Sequence, residues 1–211
     1  MRAVLSDFDG TITKADVAEL ILQRFTGDAW LPIEAEHRAS RIGTREAVAR
    51  QFALVRAGRE EMLDFVRDTA EIDESFHDFA RFCSARGIHL EIVSEGLDFY
   101  VDYLTKRWRI DVPYRTNRTH FTARGLEIAY PHEDATCRLC GTCKLKRLFE
   151  LRARGYRVTY IGDGDSDICP AIEADSVFAK GHLAQLCRAE EIPFVPFESF
   201  DDVLREMSPW P

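Results

Sequence analysis

Four short apolar runs, Arg2–Ser6, His89–Ser94, Arg157–Ile161 and Ser176–Ala179, alternate with stretches that read as helix, and this alternation constrains the chain more than any other feature. Compact β-like runs separated by helical segments point to an α/β fold with a mainly parallel sheet. Each of the first three runs ends in a polar, loop-like cluster. In open α/β sheets ligands sit beyond the carboxyl ends of the strands, so those clusters are the places to look for chemistry.

The stretch between the first two runs is far longer than one crossover needs and reads almost wholly as helix. Val17, Leu20, Ile21, Leu22 and Phe25 form one amphipathic face; Thr44, Ala47, Val48, Phe52 and Val55 form another; Met62, Phe65 and Val66 form a third. The helix around Phe76, Phe79, Phe82 and Cys83, closed by Gly87, reads as the true crossover. Residues 14–70 are therefore expected to be an inserted helical cap, with 1–13 and 71–211 as the core. A second irregular stretch, 114–141, contains an expected hairpin in which Thr116–Phe121 and Leu126–Tyr130 flank Arg124-Gly125. There is no internal repeat and no low-complexity segment.

The 211 residues suit one domain or one domain with an insertion. Lys+Arg 28 against Asp+Glu 36 leaves a net charge of −8, which argues against general nucleic-acid binding. The same field repels a phosphorylated ligand, so a metal or a few local cations must supply the attraction. No apolar run approaches the roughly 18 residues of a membrane span. Ala3, Val4 and Leu5 before Asp7 are too short for a signal-peptide core, so the expected location is the cytoplasm.

The first run ends in Asp7-Phe8-Asp9-Gly10-Thr11-Ile12-Thr13. Two carboxylates directly past a buried strand are costly unless a cation or proton traffic accompanies them; the plainer alternative is a strand-terminating Asx turn. After the second run, Ser94-Glu95-Gly96 presents a hydroxyl and backbone N–H groups ahead of a helix, a natural anion seat. After the third comes Gly162-Asp163-Gly164-Asp165-Ser166-Asp167, whose clustered carboxylates suit a hard cation such as Mg²⁺. Lys144, at the start of an expected helix, offers a compact positive charge.

These four motifs, running along the chain as Asp7–Thr13, Ser94, Lys144 and Gly162–Asp167, resemble the haloacid dehalogenase superfamily, and the helical insertion resembles its phosphoserine-phosphatase-like branch. The resemblance spans nearly the whole chain and implies a Rossmann-like core under a helical cap. It implies that Asp7 is a nucleophile that forms an aspartyl-phosphate, and that Asp9 protonates the leaving oxygen and then activates water. Mg²⁺ would be held by Asp7, the Asp9 backbone carbonyl and Asp163, with Asp167 acting through water or by orienting Lys144. Ser94 and Lys144 would bind phosphoryl oxygens, and Thr11 with Gly10 would contribute through backbone position and a hydroxyl contact. Phosphoserine phosphatases carry Asn where this chain has Ser166, which touches selectivity rather than activity. Asp165 reads as the N-cap of the following helix.

For the substrate, Asp16 sits where that branch places an acidic residue against a substrate amino group, or else it caps the helix beginning at Val17. The Arg expected to clasp a substrate carboxylate does not align cleanly: Gln51 falls at that place, with Arg50 beside it. Asp7–Thr13, Asp16, Ser94-Glu95-Gly96-Leu97-Asp98-Phe99 and the Cys-rich run into Lys144 more closely resemble the methionine-salvage phosphatases, which act on 2-hydroxy-3-keto-5-methylthiopentenyl-1-phosphate. Glu95 departs from the small residue common there. Phosphoserine, phosphocholine and phosphoethanolamine phosphatases are the alternatives, all with a small phosphorylated metabolite as partner and a monomer or homodimer as the state.

Six cysteines are not a disulfide density, and Cys83, Cys169 and Cys187 read as small buried side chains in helices. Cys137, Cys140 and Cys143 have C-x₂-C-x₂-C spacing that can wrap structural Zn²⁺, with His132 or His120 as fourth ligand. The alternatives are a tight loop of reduced thiols or a disulfide. A reading from another class makes the chain a non-catalytic binding module with this loop as its zinc-stabilised surface.

Overall fold

A computed structural model describes residues 1–123 and 125–209. β1 (Arg2–Ser6) lies at the centre of a seven-stranded sheet, parallel to β2 (His89–Leu97) on one side and to β5 (Arg157–Gly162) on the other. Beyond β2 come β3 (Tyr114–Thr122) and β4 (Gly125–Ala129); beyond β5 come β6 (Ser176–Ala179) and β7 (Val195–Pro196). Only the β3–β4 pair is antiparallel. The expected hairpin is present, with Thr122 opposite Gly125, while Arg124 lies outside the described residues. Its first strand also continues the parallel sheet by pairing with β2, which the polar run Tyr114–Thr122 does not announce.

Side-chain alternation sorts the core into layers. Ala3, Leu5, Val158 and Tyr160 pack with Leu148 and Leu151 of α7 (Lys144–Ala153) on one face. Val4, Ile92 and Ile161 point to the other face, against α5 (Phe76–Ala85), α6 (Asp98–Arg107) and α10 (Phe200–Met207). The ring pairs Phe76–Phe200 (4.9 Å between centroids) and Phe79–Phe200 (5.2 Å) lock α10 to α5. α8 (Ile168–Glu173) and α9 (Gly181–Ala189) cover the β6 edge on the α7 side. Glu91, buried on the α7 face of β2, is tolerated because Arg147, Arg115 and His89 surround it.

Between β1 and α5 stand α1 (Val17–Thr26), a 3₁₀ turn (Gly27–Trp30), α2 (Leu31–Arg38), α3 (Thr44–Phe52) and α4 (Arg59–Thr69). The chain enters and leaves this insertion at one point. Thr13 and Ile72 form an antiparallel bridge, flanked by Lys14 N–H donating to Glu71 O and Asp73 N–H donating to Ile12 O, both at 2.9 Å. Val17, Ile21, Phe52, Met62 and Val66 join the same apolar cluster as Leu97 and Phe99, so the insertion is packed on the core as well as tethered to it. Among the described residues no helix is long and apolar enough to cross a membrane.

Candidate functional site

The carboxyl ends of β1, β2 and β5 open into a cavity of about 1490 Å³, roofed by α1, the 3₁₀ turn, α2 and α3. Asp7 follows β1 directly and its N–H donates to Ile161 O of β5 at 2.9 Å, which holds the turn across the two strand ends. Gly10 has φ +70, and any Cβ there would collide with the Asp163 carboxylate. The turn therefore brings two strand ends together only because position 10 carries no side chain.

Lys144 is buried at the floor, donating to Asp7 Oδ1 at 2.7 Å, to Asp167 Oδ1 at 2.5 Å and to Ser166 Oγ at 2.9 Å. Burial alone would lower its pKa, but Asp167 and Asp7 outweigh that and hold the ammonium charged. Asp167 is fully occupied: Tyr160 Oη also donates to its Oδ1 at 2.5 Å, and its Oδ2 accepts from the N–H groups of Asp163 and Gly164, both at 3.0 Å. Its role is to position Lys144 and the β5 turn. Ser166, in the place where the branch has Asn, takes a hydrogen bond from Lys144. Asp165 does not cap α8; it opens a 3₁₀ turn, and its Oδ1 lies 3.0 Å from His182 Nδ1.

Among the described residues, Asp7, Asp163 and Asp167 are the one group of three acidic, His or Cys side chains whose ligand atoms lie within 4.8 Å of one another. Burial pushes the Asp7 carboxyl well above its usual range, with Asp167 and Asp163 adding to the shift against Lys144. Asp163, fixed by a 2.7 Å bond from Thr11 Oγ1, is raised to about 6, mainly by burial and then by Asp167. Oxygen donors this crowded, with Lys144 as their principal cation, fit a hard divalent ion such as Mg²⁺. Lys180, just past β6, donates to Thr11 O at 3.1 Å and is itself held below its ordinary pKa by burial.

Asp9 faces the opposite side of the turn. Its Oδ2 accepts from Tyr100 Oη (2.9 Å) and Ser94 Oγ (3.3 Å), and its Oδ1 from Val17 N–H (3.2 Å), the first residue of α1. Burial nonetheless raises its pKa to about 6. Ser94-Glu95-Gly96 lies within an irregularity of β2 rather than after it, and α6 starts only at Asp98. Gly96 is required because a Cβ would strike the Tyr100 hydroxyl and Asp9 Oδ2. Gly96 N–H donates to Ser94 Oγ at 2.8 Å.

Glu95 Oε2 accepts from Gly141 N–H (3.0 Å), Thr142 N–H (3.2 Å) and Asn117 Nδ2 (3.4 Å), tying the segment before Lys144 to β2. Burial raises its pKa. Its Oε1 is buried without a partner, and so is Trp30 Nε1. Such an unmade bond costs about 1–3 kcal/mol.

The roof residues divide into those that reach the cavity and those that do not. Asp16 lines it and also caps α1, accepting from Glu19 N–H at 2.8 Å. Gln51 lines it and donates to Glu34 Oε2 at 3.0 Å. Arg50 points elsewhere, onto Glu36 (2.7 Å) and Glu46 (3.3 Å), and is not among the lining residues. Ala47, Val48, Gln51 and Phe52 form the cavity stripe of α3; Arg50 falls off it by one step of helical phase.

Cys137, Cys140, Cys143 and His132 are not drawn together as a ligand set. Cys143 Sγ instead caps α7, accepting from Lys146 N–H at 3.4 Å, and His132 Nδ1 lies 3.4 Å from Arg115 Nη1. All six cysteines are free; Cys83 and Cys187 are buried as expected, whereas Cys169 is exposed because it sits on the outer side of the short α8. This loop leans on the insertion: Arg45 N–H donates to Leu139 O at 3.0 Å, and the Arg45 guanidinium pairs with Glu133 and stacks 4.5 Å over Tyr130.

Sequence reasoning does not find Tyr100, Tyr160, Lys180, Trp30, Glu34 or His37. Lys180 follows a recognised strand and answers to the same strand-end rule that finds Asp7 and Asp163. The others reach the site through tertiary packing, for which the sequence carries no local signal.

The family model for haloacid dehalogenase-like hydrolases matches residues 4–171. The chain belongs to that family. It is similar to the 2-hydroxy-3-keto-5-methylthiopentenyl-1-phosphate phosphatase of Geobacillus thermodenitrificans, 36% identical over 94% of this chain and 91% of that protein. It is similar to the enzyme of the same name from Bacillus mycoides, 31% identical over 97% and 94%. In fold it matches a phospho-aspartyl intermediate analogue of phosphoserine phosphatase with TM-score 0.75 at 17% identity, covering 97% of this chain and 98% of that one. A substrate-bound phosphoserine phosphatase complex matches with TM-score 0.74 at 16% identity, covering 97% of both chains. The chain is thus an enzyme, a phosphatase of this family, and the non-catalytic alternative falls away.

Proposed function

We propose that the chain is a Mg²⁺-dependent phosphomonoester hydrolase that works through an aspartyl-phosphate on Asp7, with residues 14–70 as a cap over a core of 1–13 and 71–211. The observation that carries this reading is the buried floor of Asp7, Asp163 and Asp167 around Lys144, at strand ends under a roofed cavity. Asp7 attacks phosphorus as the bond to the leaving oxygen breaks, and Asp9 supplies the proton that oxygen needs. A pKa of about 6 suits an acid that must also give up its proton near neutrality. In the second step Asp9 takes a proton from the water that cleaves the acyl phosphate, returning Asp7 as a carboxylate and releasing phosphate. Lys144, held charged by Asp167, offsets the negative charge that gathers between Asp7 and the phosphoryl group, and Ser94 Oγ and Gly96 lie at the same strand end as binding groups. Mg²⁺, held by Asp7, the Asp9 backbone carbonyl and Asp163, would add Lewis-acid neutralisation of the transferring group.

For the substrate we propose 2-hydroxy-3-keto-5-methylthiopentenyl-1-phosphate, placing the chain in methionine salvage. Ala18, Leu22, Ala47, Val48 and Phe52 give the cavity an apolar side that suits a methylthioalkyl tail, and the guanidinium in its roof, Arg38, is already engaged by Glu34 at 2.8 Å rather than held free for a substrate α-carboxylate. The test is a panel of phosphomonoesters (this compound, phosphoserine, phosphocholine, phosphoethanolamine) with Mg²⁺ and with EDTA. The methylthio ester should lead in kcat/KM by at least about tenfold, and chelation should abolish turnover. Preference for phosphoserine, or full activity in EDTA, would overturn the reading.

A further inference from the structure

Among the described residues exactly two buried side-chain polar atoms have no hydrogen-bond partner, Trp30 Nε1 and Glu95 Oε1. Both residues line the same cavity, Trp30 from its roof and Glu95 from its floor. Buried polar groups in folded proteins are nearly always paired, so two exceptions on opposite walls of one ligand cavity ask for a common cause. One is an obligatory donor, the other an acceptor when ionised. Trp30 is only 6% exposed, so ordinary solvation does not satisfy its indole.

Glu95 is also electrostatically odd. A carboxylate beside Ser94, at the seat of a phosphoryl group, repels the very anion the site must hold. Its Oε2 has a structural task, anchoring the backbone at Gly141 and Thr142, but that task uses one oxygen and leaves the other buried without a hydrogen-bond partner. A residue that only pinned this segment could do so with a neutral amide.

We infer that Glu95 Oε1 and Trp30 Nε1 are specificity-determining groups that read a hydroxyl donor and a carbonyl acceptor on the carbon chain next to the phosphate. The inference rests on the substrate reading above and sharpens it: the proposed substrate carries a hydroxyl on C2 and a ketone on C3. Glu95, next in sequence to Ser94, accepts from the hydroxyl nearer the phosphate. Trp30, in the roof, donates to the carbonyl one carbon further out. The apolar remainder then extends between Leu22, Val48 and Phe52.

The experiment compares wild type, Glu95→Gln and Trp30→Phe by ratios of kcat/KM, which a general loss of folding or of catalytic power does not change. Glu95→Gln retains an acceptor for Gly141 and Thr142 and replaces the orphan acceptor with a donor; Trp30→Phe retains an aromatic wall without the N–H. The first ratio is the methylthio ester over p-nitrophenyl phosphate, and the second is glyceraldehyde 3-phosphate, whose hydroxyl lies nearer the phosphate and whose carbonyl lies one carbon further out, over propyl phosphate. Each variant should lower both ratios about 10- to 100-fold. Ratios within threefold of wild type in both variants would overturn the inference, whatever happens to the absolute rates. If wild type rejects the methylthio ester but its preference for glyceraldehyde 3-phosphate over propyl phosphate collapses in the variants, the inference stands and the substrate reading falls. If wild type favours the methylthio ester and the variants keep that preference, the substrate reading stands and the inference falls.

Discussion

The floor of the cavity and the Glu34 group in its roof treat their charges in opposite ways. On the floor, Asp7, Asp9 and Asp163 are all pushed above the ordinary carboxylate range by burial, with Lys144 and hydrogen bonds only partly offsetting the shift. In the roof, Glu34 is pulled down to about 2 by its hydrogen bond to His37, with Arg38 and Gln51 adding to it. The floor holds carboxylates in a state that favours protons or cations, and so does Asp16 at the edge of the roof, where burial and then Asp9 push the carboxyl well up; the Glu34 group pairs its charge internally. Carboxylates displaced this far from their ordinary range, in a cleft beside a buried ammonium, are typical of sites that move protons or hold cations.

The sharpest way to break this division is Asp7→Asn. If the floor alone carries the chemistry, Mg²⁺-dependent turnover of p-nitrophenyl phosphate should fall by at least about 10⁴-fold, since removing a nucleophile is not compensated by binding elsewhere. Activity within tenfold of wild type would mean that chemistry is not seated at Asp7.

A second test reads stability against pH in the metal-free protein. Asp9 and Asp163 titrate near 6 in the folded state, against about 4 for a free carboxyl. The folded state therefore binds more protons across that window, and stability falls as pH rises through it. Glu34 has the opposite sign: its contribution is present above its unfolded value and is lost as pH falls towards 2. The floor shifts are worth up to about 3 kcal/mol per group, so the melting temperature of the chelated enzyme should drop by about 5–10 °C between pH 5 and pH 7.5. Asp163→Asn should shrink the drop, and Mg²⁺ at pH 7.5 should reverse it. A chelated enzyme that is more stable at pH 7.5 than at pH 5, with no difference in Asp163→Asn, would remove the electrostatic contrast.

The smallest expected effect concerns motion. The roof is tethered at the Thr13–Ile72 bridge and packed on the core through Phe52, Met62 and Leu97. Mg²⁺ with a phosphoryl analogue should slow amide exchange severalfold at residues 13–14 and 69–73 and along α1 and α3. Protection confined to Asp7, Ser94 and Asp163 would show a roof that does not close.

Much of the floor is legible in the sequence because strand-end chemistry is local: an apolar run followed by Asp7-Phe8-Asp9-Gly10, or by Gly162-Asp163, announces itself within a few residues. The roof is not. Which of Arg50 and Gln51 meets the cavity depends on one step of helical phase, and Trp30 becomes a lining residue only when a 3₁₀ turn carries it there. β3 is hidden for another reason. It lies towards the sheet edge and carries the polar run Tyr114-Arg115-Thr116-Asn117-Arg118, so it lacks the continuous apolar pattern that marks β1 and β5. The cysteine spacing is a local signal that the folded loop does not turn into a ligand set: Cys143 Sγ caps α7, and the thiols are not gathered with His132.

The bridge between Thr13 and Ile72 makes the whole insertion a side branch whose two ends are joined to each other. From the viewpoint of the sheet, the chain leaves and re-enters at nearly the same point, whatever is hung between. Because the entropic cost of closing such an excursion grows only with the logarithm of its length, the branch can be lengthened, shortened or exchanged with little penalty to the scaffold. A single floor can in this way carry many different roofs, and a change of roof reshapes the cavity without disturbing the strand ends that hold Asp7 and Asp163.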